Sequence, residues 1–429
     1  MNLQSVRGFK DILPPDSERT AAFENSARRV LERFGFRELR LPTLEALELF
    51  VKSTGETTDI VEKEMFALTD AGGRSLALRP EGTPGAVRAY LQHSLHGQGG
   101  RTKLFYMGSM FRAERPQAGR LREFEQIGAE SFGNAHPAAD AEAILALCEI
   151  FDEGGLRGRT AVHLNNLGCE NPDCRPAFRA RLLEFLRSAS STLCDNCKRR
   201  IERNPLRALD CKGDAPRLKS DPRTPKLSPC ADCRRHFETL LALLPSQGPS
   251  APVLDDSLVR GLDYYTRTVF EIKSREVGSQ DALAGGGRYD GLVKSMGGPD
   301  TPAVGWALGV ERTLMAVKAA QEPPLRPGPS VYVASQSEAP EIERAAMELL
   351  QSVRAAGFSA EGGYFGHSLK SQMREADRLG ARFAAIFGES EFREGGKCTV
   401  KDLKIKDRQW QSTPREFLAQ LPDRLKEAK

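Results

Sequence analysis

Residues 101–132 read RTKLFYMGSMFRAERPQAGRLREFEQIGAESF. The runs 101–112 and 123–132 are predicted strands, and AERPQAGRLR between them is a loop whose turn chemistry comes from Pro116 and Gly119. From Arg101 to Arg122 there are six basic residues (Arg101, Lys103, Arg112, Arg115, Arg120, Arg122) and one acid, Glu114, a local charge of +5. By charge alone this is a solvated surface loop. Arg112 changes the balance: it ends an apolar strand, so its stem is anchored and its guanidinium aimed. The chain has no P-loop and no dinucleotide fingerprint. If ATP is used, an alternative is to grip its phosphates with fixed arginines.

Outward from this stretch, the 429 residues allow two to four domains. Hydrophobic residues are 40% and charged residues 28%, which excludes a wholly disordered or fibrous chain. No apolar run is long enough to cross a bilayer, and the N-terminus has no secretory pattern. Nine cysteines without an export signal predict a cytoplasmic protein. The net charge of +4, from 62 basic and 58 acidic residues, announces no nucleic-acid binder unless the charge is sorted into patches.

Residues 16–34 fit one helical face through Ala22, Phe23, Ala27, Val30, Leu31 and Phe34, and Gly35 stops the helix. Phe36–Leu41 reads as a strand ended by Pro42. A helix is predicted over 138–151, strands at 268–273 and 282–284, and a strand at Pro302–Ala307 running into a helix near Gly309. Residues 168–252 hold most of the cysteines and end in a linker, LLPSQGPSAP. A second linker, EPPLRPGPS, covers 322–330. Beyond it, strands at Val331–Ala334, Phe383–Phe387 and 398–405 alternate with helices around 342–353, 369–379 and 414–426, the rhythm of a separate α/β domain.

These residues carry a resemblance. Phe111-Arg112-Ala113-Glu114-Arg115-Pro116, followed by Arg120-Leu121-Arg122-Glu123-Phe124, resembles motif 2 of class II aminoacyl-tRNA synthetases. Gly305-Trp306-Ala307-Leu308-Gly309-Val310-Glu311-Arg312 resembles motif 3, and the helix and strand ending at Pro42 resemble motif 1, which pairs subunits. The segments 258–271 (LVRGLDYYTRTVFE) and 284–292 (AGGGRYDGL), with Arg7–Asp11 and Arg79–Thr83, are similar to blocks of histidyl-tRNA synthetases. The resemblance spans essentially the whole chain. It implies an α/β (α+β) architecture: a class II antiparallel-sheet catalytic domain over 1–325, interrupted by a helical, cysteine-rich basic insertion at 168–252, and an α/β anticodon-binding domain at 331–429.

The implied activity joins histidine to ATP as an adenylate, with Mg2+ accompanying ATP, and passes histidyl to tRNA(His); the implied assembly is a homodimer. Carboxylate and phosphate are both negative, so the site must supply fixed cations. The resemblance makes Arg112, Arg260 and Arg312 catalytic and ATP-binding, with Glu114 beside the ATP. It assigns Glu130 and Tyr264 to the imidazole, and Glu81, Thr83 and Gln126 to the amino group and carboxylate. Tyr265, Tyr289 and the glycines 285–287 line the histidine and adenylate pocket. Arg115, Gln117, Arg120 and Arg122 face the tRNA acceptor end. Taken singly, each arginine is a surface ion pair worth about 0–1 kcal/mol, each tyrosine a core aromatic and the glycines a plain turn.

Cys194-x-x-Cys197 and Cys230-x-x-Cys233 are separated by 32 residues, longer than the ~15–20 usual between zinc pairs. Four thiolates would make a closed structural zinc site, with Cys174 and Cys211 as alternative ligands; reduced, partly buried thiols are the other reading. The resemblance implies no catalytic need for zinc. Residues 198–226 carry ten basic and four acidic side chains, net +6, either a tRNA phosphate track or a solubilising surface. Two rival functions are a regulatory subunit of histidine biosynthesis on the same fold and an inactive basic binding module. The first lacks the C-terminal domain and has eroded motifs; the second has no use for adenylate-site arginines.

Overall fold

The fold is taken from a computed structural model that describes residues 3–426, apart from 56–57, 59, 118, 210, 212, 249, 279–280, 321–326 and 364–365. The chain forms two units, Met1–Pro324 and Leu325–Lys429. Residues 322–326 of the second expected linker, and 249 of the first, lie outside the described residues.

In the first unit the strands are β1 (Arg37–Glu38), β2 (Leu44–Ala46), β3 (Ala67–Thr69), β4 (Ser75–Leu78), β5 (Thr102–Phe111), β6 (Glu123–Phe132), β7 (Ala161–Asn166), β8 (Pro252–Leu254), β9 (Thr266–Lys273), β10 (Ala282–Arg288) and β11 (Ala303–Gly309). Eight of them make one sheet in the order β1-β5-β6-β11-β10-β9-β7-β8, and β2, β4 and β3 make a small one. From β5 to β7 every pairing is antiparallel; β1 and β8 join the two edges in parallel. The expected antiparallel catalytic sheet is present.

Strand alternation sorts this sheet into two faces. Ile127 and Ala129 of β6, Phe270 and Ile272 of β9, and Val304, Trp306 and Leu308 of β11 enter the main core. Three helices cover that face: α1 (Asp16–Arg33), α4 (Pro137–Phe151) and α10 (Val310–Ala320). Helix α1 buries Phe23, Ala27, Val30 and Leu31, positions spaced by three and four. α2 (Leu47–Thr54) and α3 (Thr83–Gln92) precede β5. The insertion holds α5 (Arg175–Ser188), α6 (Asp195–Arg200), α7 (Ala215–Ser220) and α8 (Ala231–Leu243); α9 (Leu292–Ser295) follows β10.

Two expectations change. The strand predicted over Phe36–Leu41 pairs as a ladder only at Arg37 and Glu38. Beyond them the carbonyls of Leu41 and Pro42 accept from Arg79 Nη1, at 2.6 and 3.3 Å, instead of from a neighbouring strand. The strand predicted at 282–284 runs on through Gly285–Gly287 to Arg288: a side chain at Gly286 or Gly287 would meet β11 or β9, and one at Gly285 the Arg260 guanidinium.

The second unit has a five-stranded sheet. Its strands are β12 (Val331–Ser335), β13 (Ala360–Gly362), β14 (Phe383–Phe387), β15 (Cys398–Asp402) and β16 (Gln409–Ser412), in the order β13-β12-β14-β15-β16. The first three are parallel and the last two antiparallel. Helices Pro340–Ala355 and Pro414–Lys426 pack on one face and Leu369–Arg378 on the other, so β12 is apolar at successive positions. The strand predicted at 398–405 stops at Asp402, whose carboxylate accepts from the backbone of Lys404 and Ile405 at 2.9 and 3.1 Å and turns the chain.

Candidate active site

The sheet face away from α1, α4 and α10 carries Gln126, Gly128 and Glu130 of β6. Opposite them β11 presents Gly309, Ala307 and Gly305. Large polar side chains face a strand with almost none, and a trough remains. It opens into a cavity of about 300 Å3, within the usual range for small ligands. Glu81, Thr83, Arg112, Gln126, Arg260, Tyr264, Tyr265 and Arg312 all border it, as do Glu114, Arg120, Glu271 and Gly285. A larger cavity of about 850 Å3 lies against the insertion, with Leu164, Phe178, Leu206 and Pro225 among its walls. It brings in a single arginine, Arg234, so its chemistry is poorer despite its size.

The arginines are held by backbone and acid. Arg112, just past β5, donates through Nε to the carbonyl of Pro80 at 2.9 Å, and its guanidinium lies 5.1 Å from the ring centre of Phe124. Arg312, in α10, donates to the carbonyl of Ala282 at 3.0 Å. Burial lowers its pKa, and the charges of Arg120 and Arg112 lower it further, which shows how closely the cations gather. Arg260 pairs with Glu271 and rests against β10. A Cβ at Gly285 would stand 2.3 Å from Arg260 Cζ, so the guanidinium keeps this position only against a glycine. Such convergence is costly without a bound anion and suits phosphate oxygens.

Acids and hydroxyls occupy the other end. Glu130 is fully buried, and its two oxygens accept from Thr83 at 2.7 Å, Tyr106 at 3.3 Å and Tyr289 at 2.5 Å. Gly305 makes room for it, since a Cβ would lie 1.7 Å from Glu130 Oε2. Glu81 accepts from the Tyr264 hydroxyl at 3.1 Å through Oε2, while its buried Oε1 has no donor among the described residues. Gln126 Oε1 is likewise buried without one. Two orphaned acceptors in one cavity fit a ligand rich in N–H donors, such as an ammonium group.

Burial raises Glu81 to about 7 and Glu130 to about 8, from an ordinary value of 4.5. The ligand-free fold therefore keeps protons that the unfolded chain releases, and stability falls as pH rises from about 4.5 toward 8. Thermal unfolding without histidine is expected several degrees lower at pH 8 than at pH 5.5. Glu130→Gln should flatten that slope; an unchanged slope would show that Glu130 does not titrate in this window.

The remaining predicted residues are placed less uniformly. Glu130 and Tyr289 lie behind the cavity wall rather than on it. Arg120 points inward and pairs with Glu114 at 3.3 Å. Arg115 and Gln117 are exposed, and Arg122 spends its Nε on the carbonyl of Glu114 at 3.2 Å. The single four-cysteine site is wrong: Cys194 and Cys197 gather with Cys211 and Asp214, whereas Cys230 and Cys233 gather with Cys169 and Cys174. The fold separates the pairs because one begins α6 inside the insertion and the other begins α8 at its exit. Sequence reasoning gave no role to Glu271, the partner of Arg260, or to Tyr106. Glu271 was signalled by an acid within the apolar run TVFEIK; Tyr106 had no local signal. The alternation of Val304, Trp306 and Leu308 with Ala303, Gly305, Ala307 and Gly309 also foretold the trough.

A class II aminoacyl-tRNA synthetase is what this sheet and site define: helices seal one face, and the other holds arginines opposite an acidic pocket. The family model described as histidyl-tRNA synthetase matches residues 8–313, and one described as an anticodon binding domain matches 330–424. The chain belongs to the histidyl-tRNA synthetase family. It is 50% identical over 404 residues to a histidine–tRNA ligase of Elusimicrobium minutum, covering 94% of this chain and 95% of that protein. It is 46% identical over 406 residues to one of Desulforamulus reducens, again covering 94% and 95%. Among solved structures it resembles apo histidyl-tRNA synthetase of S. aureus, with TM-score 0.79, 28% identity and coverage of 98% and 100%. A Bacillus halodurans C protein described as an ATP phosphoribosyltransferase regulatory subunit/histidyl-tRNA synthetase shares the fold, with TM-score 0.63, 22% identity and coverage of 90% and 97%.

Proposed function

We propose that the trough binds histidine at its acidic end and the triphosphate of ATP at its arginine end, and that this chain is an ATP-dependent histidine–tRNA ligase. One observation carries the site reading: orphaned acceptors on Glu81 and Gln126 share a cavity with Arg112, Arg260 and Arg312. Glu81 and Gln126 receive the ammonium group, with Thr83 beside them. Tyr264 meets the imidazole, and Glu130 acts through the hydroxyls of Thr83 and Tyr289. Tyr265 closes the pocket. The histidine carboxylate attacks the α-phosphorus, the bond to the bridging oxygen breaks, and pyrophosphate leaves. Arg112 and Arg260 offset the charge growing on the α-phosphate, and Arg312 holds the far phosphate. A terminal hydroxyl of the tRNA then attacks the histidyl carbonyl and AMP departs.

Mg2+ would arrive with ATP. Among the described residues no group of three or more acids, cysteines or histidines that could cage a metal lies at the cavity, as befits an ion held by phosphates with one or two carboxylates. Besides Glu81, the carboxylates that border the cavity are Glu64, Glu114, Glu271 and Glu311, and Glu114 and Glu271 are the two we favour beside the phosphates. Arg115, Gln117, Arg120 and Arg122 would meet the acceptor end, the 168–252 insertion the acceptor arm, and the C-terminal unit the anticodon. The working form would be a cytoplasmic homodimer. No helix among the described residues is long and apolar enough to cross a membrane.

The test is histidine-dependent ATP–pyrophosphate exchange followed by charging of tRNA(His). Both reactions are expected. Neither, with correctly folded protein, would leave the regulatory-subunit reading standing.

A further inference from the structure

Among its described residues the insertion contains two separate groups of four metal-ligating side chains, and neither belongs to the synthetase site. In each group all four ligand atoms lie within 4.8 Å of one another. One group is Cys169, Cys174, Cys230 and Cys233; the other is Cys194, Cys197, Cys211 and Asp214. The sulfur separations are 3.8 Å for Cys169–Cys230, 4.0 Å for Cys174–Cys233 and 3.6 Å for Cys194–Cys211. A disulfide needs about 2.05 Å, so these are not bonded pairs. Four sulfurs placed tetrahedrally at about 2.3 Å from one zinc lie about 3.8 Å apart. The observed spacing is that of a mononuclear tetrahedral centre.

We propose that this chain binds two structural Zn2+ ions, one by Cys169, Cys174, Cys230 and Cys233 and one by Cys194, Cys197, Cys211 and Asp214. The second set has the spacing C-x2-C-x13-C-x2-D, in which Asp214 stands where a fourth cysteine would complete a zinc ribbon. Cys194 precedes α6 and its sulfur accepts from the Cys197 backbone N–H at 3.5 Å, while its own N–H donates to Asp214 Oδ2 at 3.0 Å. These backbone bonds orient the ligands and spread their charge. Helices α6 and α7 have six residues each, too few to persist alone, and a metal would hold both N-termini.

The first set clips the insertion at its base. Cys169 and Cys174 lie where the chain leaves β7, and Cys230 and Cys233 where it enters α8, Cys169 and Cys230 being 61 positions apart. Gly168 allows this approach, since a Cβ there would meet Cys174 Sγ at 2.9 Å. The residue after Cys174 is Arg175, whose guanidinium donates to the carbonyls of Tyr265, at 2.5 Å, and Asp263, at 3.4 Å. From the other side Asn204 donates to Asp263 Oδ1 at 2.5 Å. The metal-bound base of the insertion thus braces the loop that carries Arg260, Tyr264 and Tyr265.

Elemental analysis of the full-length chain, purified under reducing conditions without added metal, should find two zinc atoms per chain. Zinc-edge X-ray absorption should give an average of about 3.5 sulfurs per zinc near 2.3 Å. The Cys194→Ser/Cys211→Ser and Cys169→Ser/Cys230→Ser variants should each retain one zinc. Asp214→Cys should keep both and raise the average to about four sulfurs. One zinc per chain, no zinc, or iron in its place would overturn the proposal. The measurements on the unaltered chain do not depend on any variant folding, nor on aminoacylation activity.

Discussion

Arg260→Ala is expected to lower histidine-dependent pyrophosphate exchange by about 10²–10³-fold, the usual cost of removing one preorganised donor from a charge-stabilising site. The rate constant should fall more than the affinity for histidine, because the guanidinium is needed where charge grows on the α-phosphate. The change also leaves Glu271 facing the phosphates without Arg260, adding repulsion where attraction stood. Arg260→Lys should recover part of the loss: it restores charge but not the planar fork that can hold two oxygens at once. Gly285→Ala supplies an independent check. Its methyl group would displace the Arg260 guanidinium without touching its charge, and should impair exchange in the same direction. Exchange at the unaltered rate in Arg260→Ala would remove this arginine from the mechanism.

Glu81→Gln should reduce kcat/KM for histidine by about 10²–10³-fold, mostly through KM, since unpairing one member of a buried charge pair costs about 2–5 kcal/mol. The amide keeps the shape and the bond from Tyr264 but offers the ammonium group no opposite charge. A pH signature separates this effect from simple damage. Burial holds Glu81 near 7, so its carboxyl is mostly neutral at pH 6 and mostly ionised at pH 8. Histidine KM should therefore rise about tenfold through that carboxyl as pH falls across this range. The variant loses that component, while the imidazole of free histidine titrates equally in both proteins. Identical pH profiles would show that Glu81 is not the ammonium partner.

Much of the site was legible before any contact was known. Strand periodicity located β5, β6, β9 and β11, and an arginine closing an apolar strand marked Arg112. Glu81, Arg260 and Arg312 were identified by the blocks that contain them and Gln126 by its place just after one, and all four meet at one cavity. Other features were hidden for definite reasons. Three adjacent glycines taken singly suggest a turn; here Gly286 and Gly287 answer crowding from β9 and β11, and Gly285 faces the Arg260 guanidinium. Glu130 read as a direct ligand contact, yet its oxygens are taken by three hydroxyls from α3, β5 and the turn after β10.

The cysteines show where the boundary falls. Residue types and local spacing already set the inventory: seven thiols in a basic stretch, an arginine ending an apolar strand, and a second α/β unit with its own apolar strands. Those follow from residue type and local period, which neighbouring residues set. The tertiary structure alone decided which thiols meet, which carboxyl oxygens lack donors and which guanidinium rests on a glycine. Each of these depends on how segments tens of residues apart return to one place. Spacing along the chain limits that return but does not select among thiols of equal chemistry. The folding of the insertion makes the selection, bringing Cys230 beside Cys169 rather than Cys194.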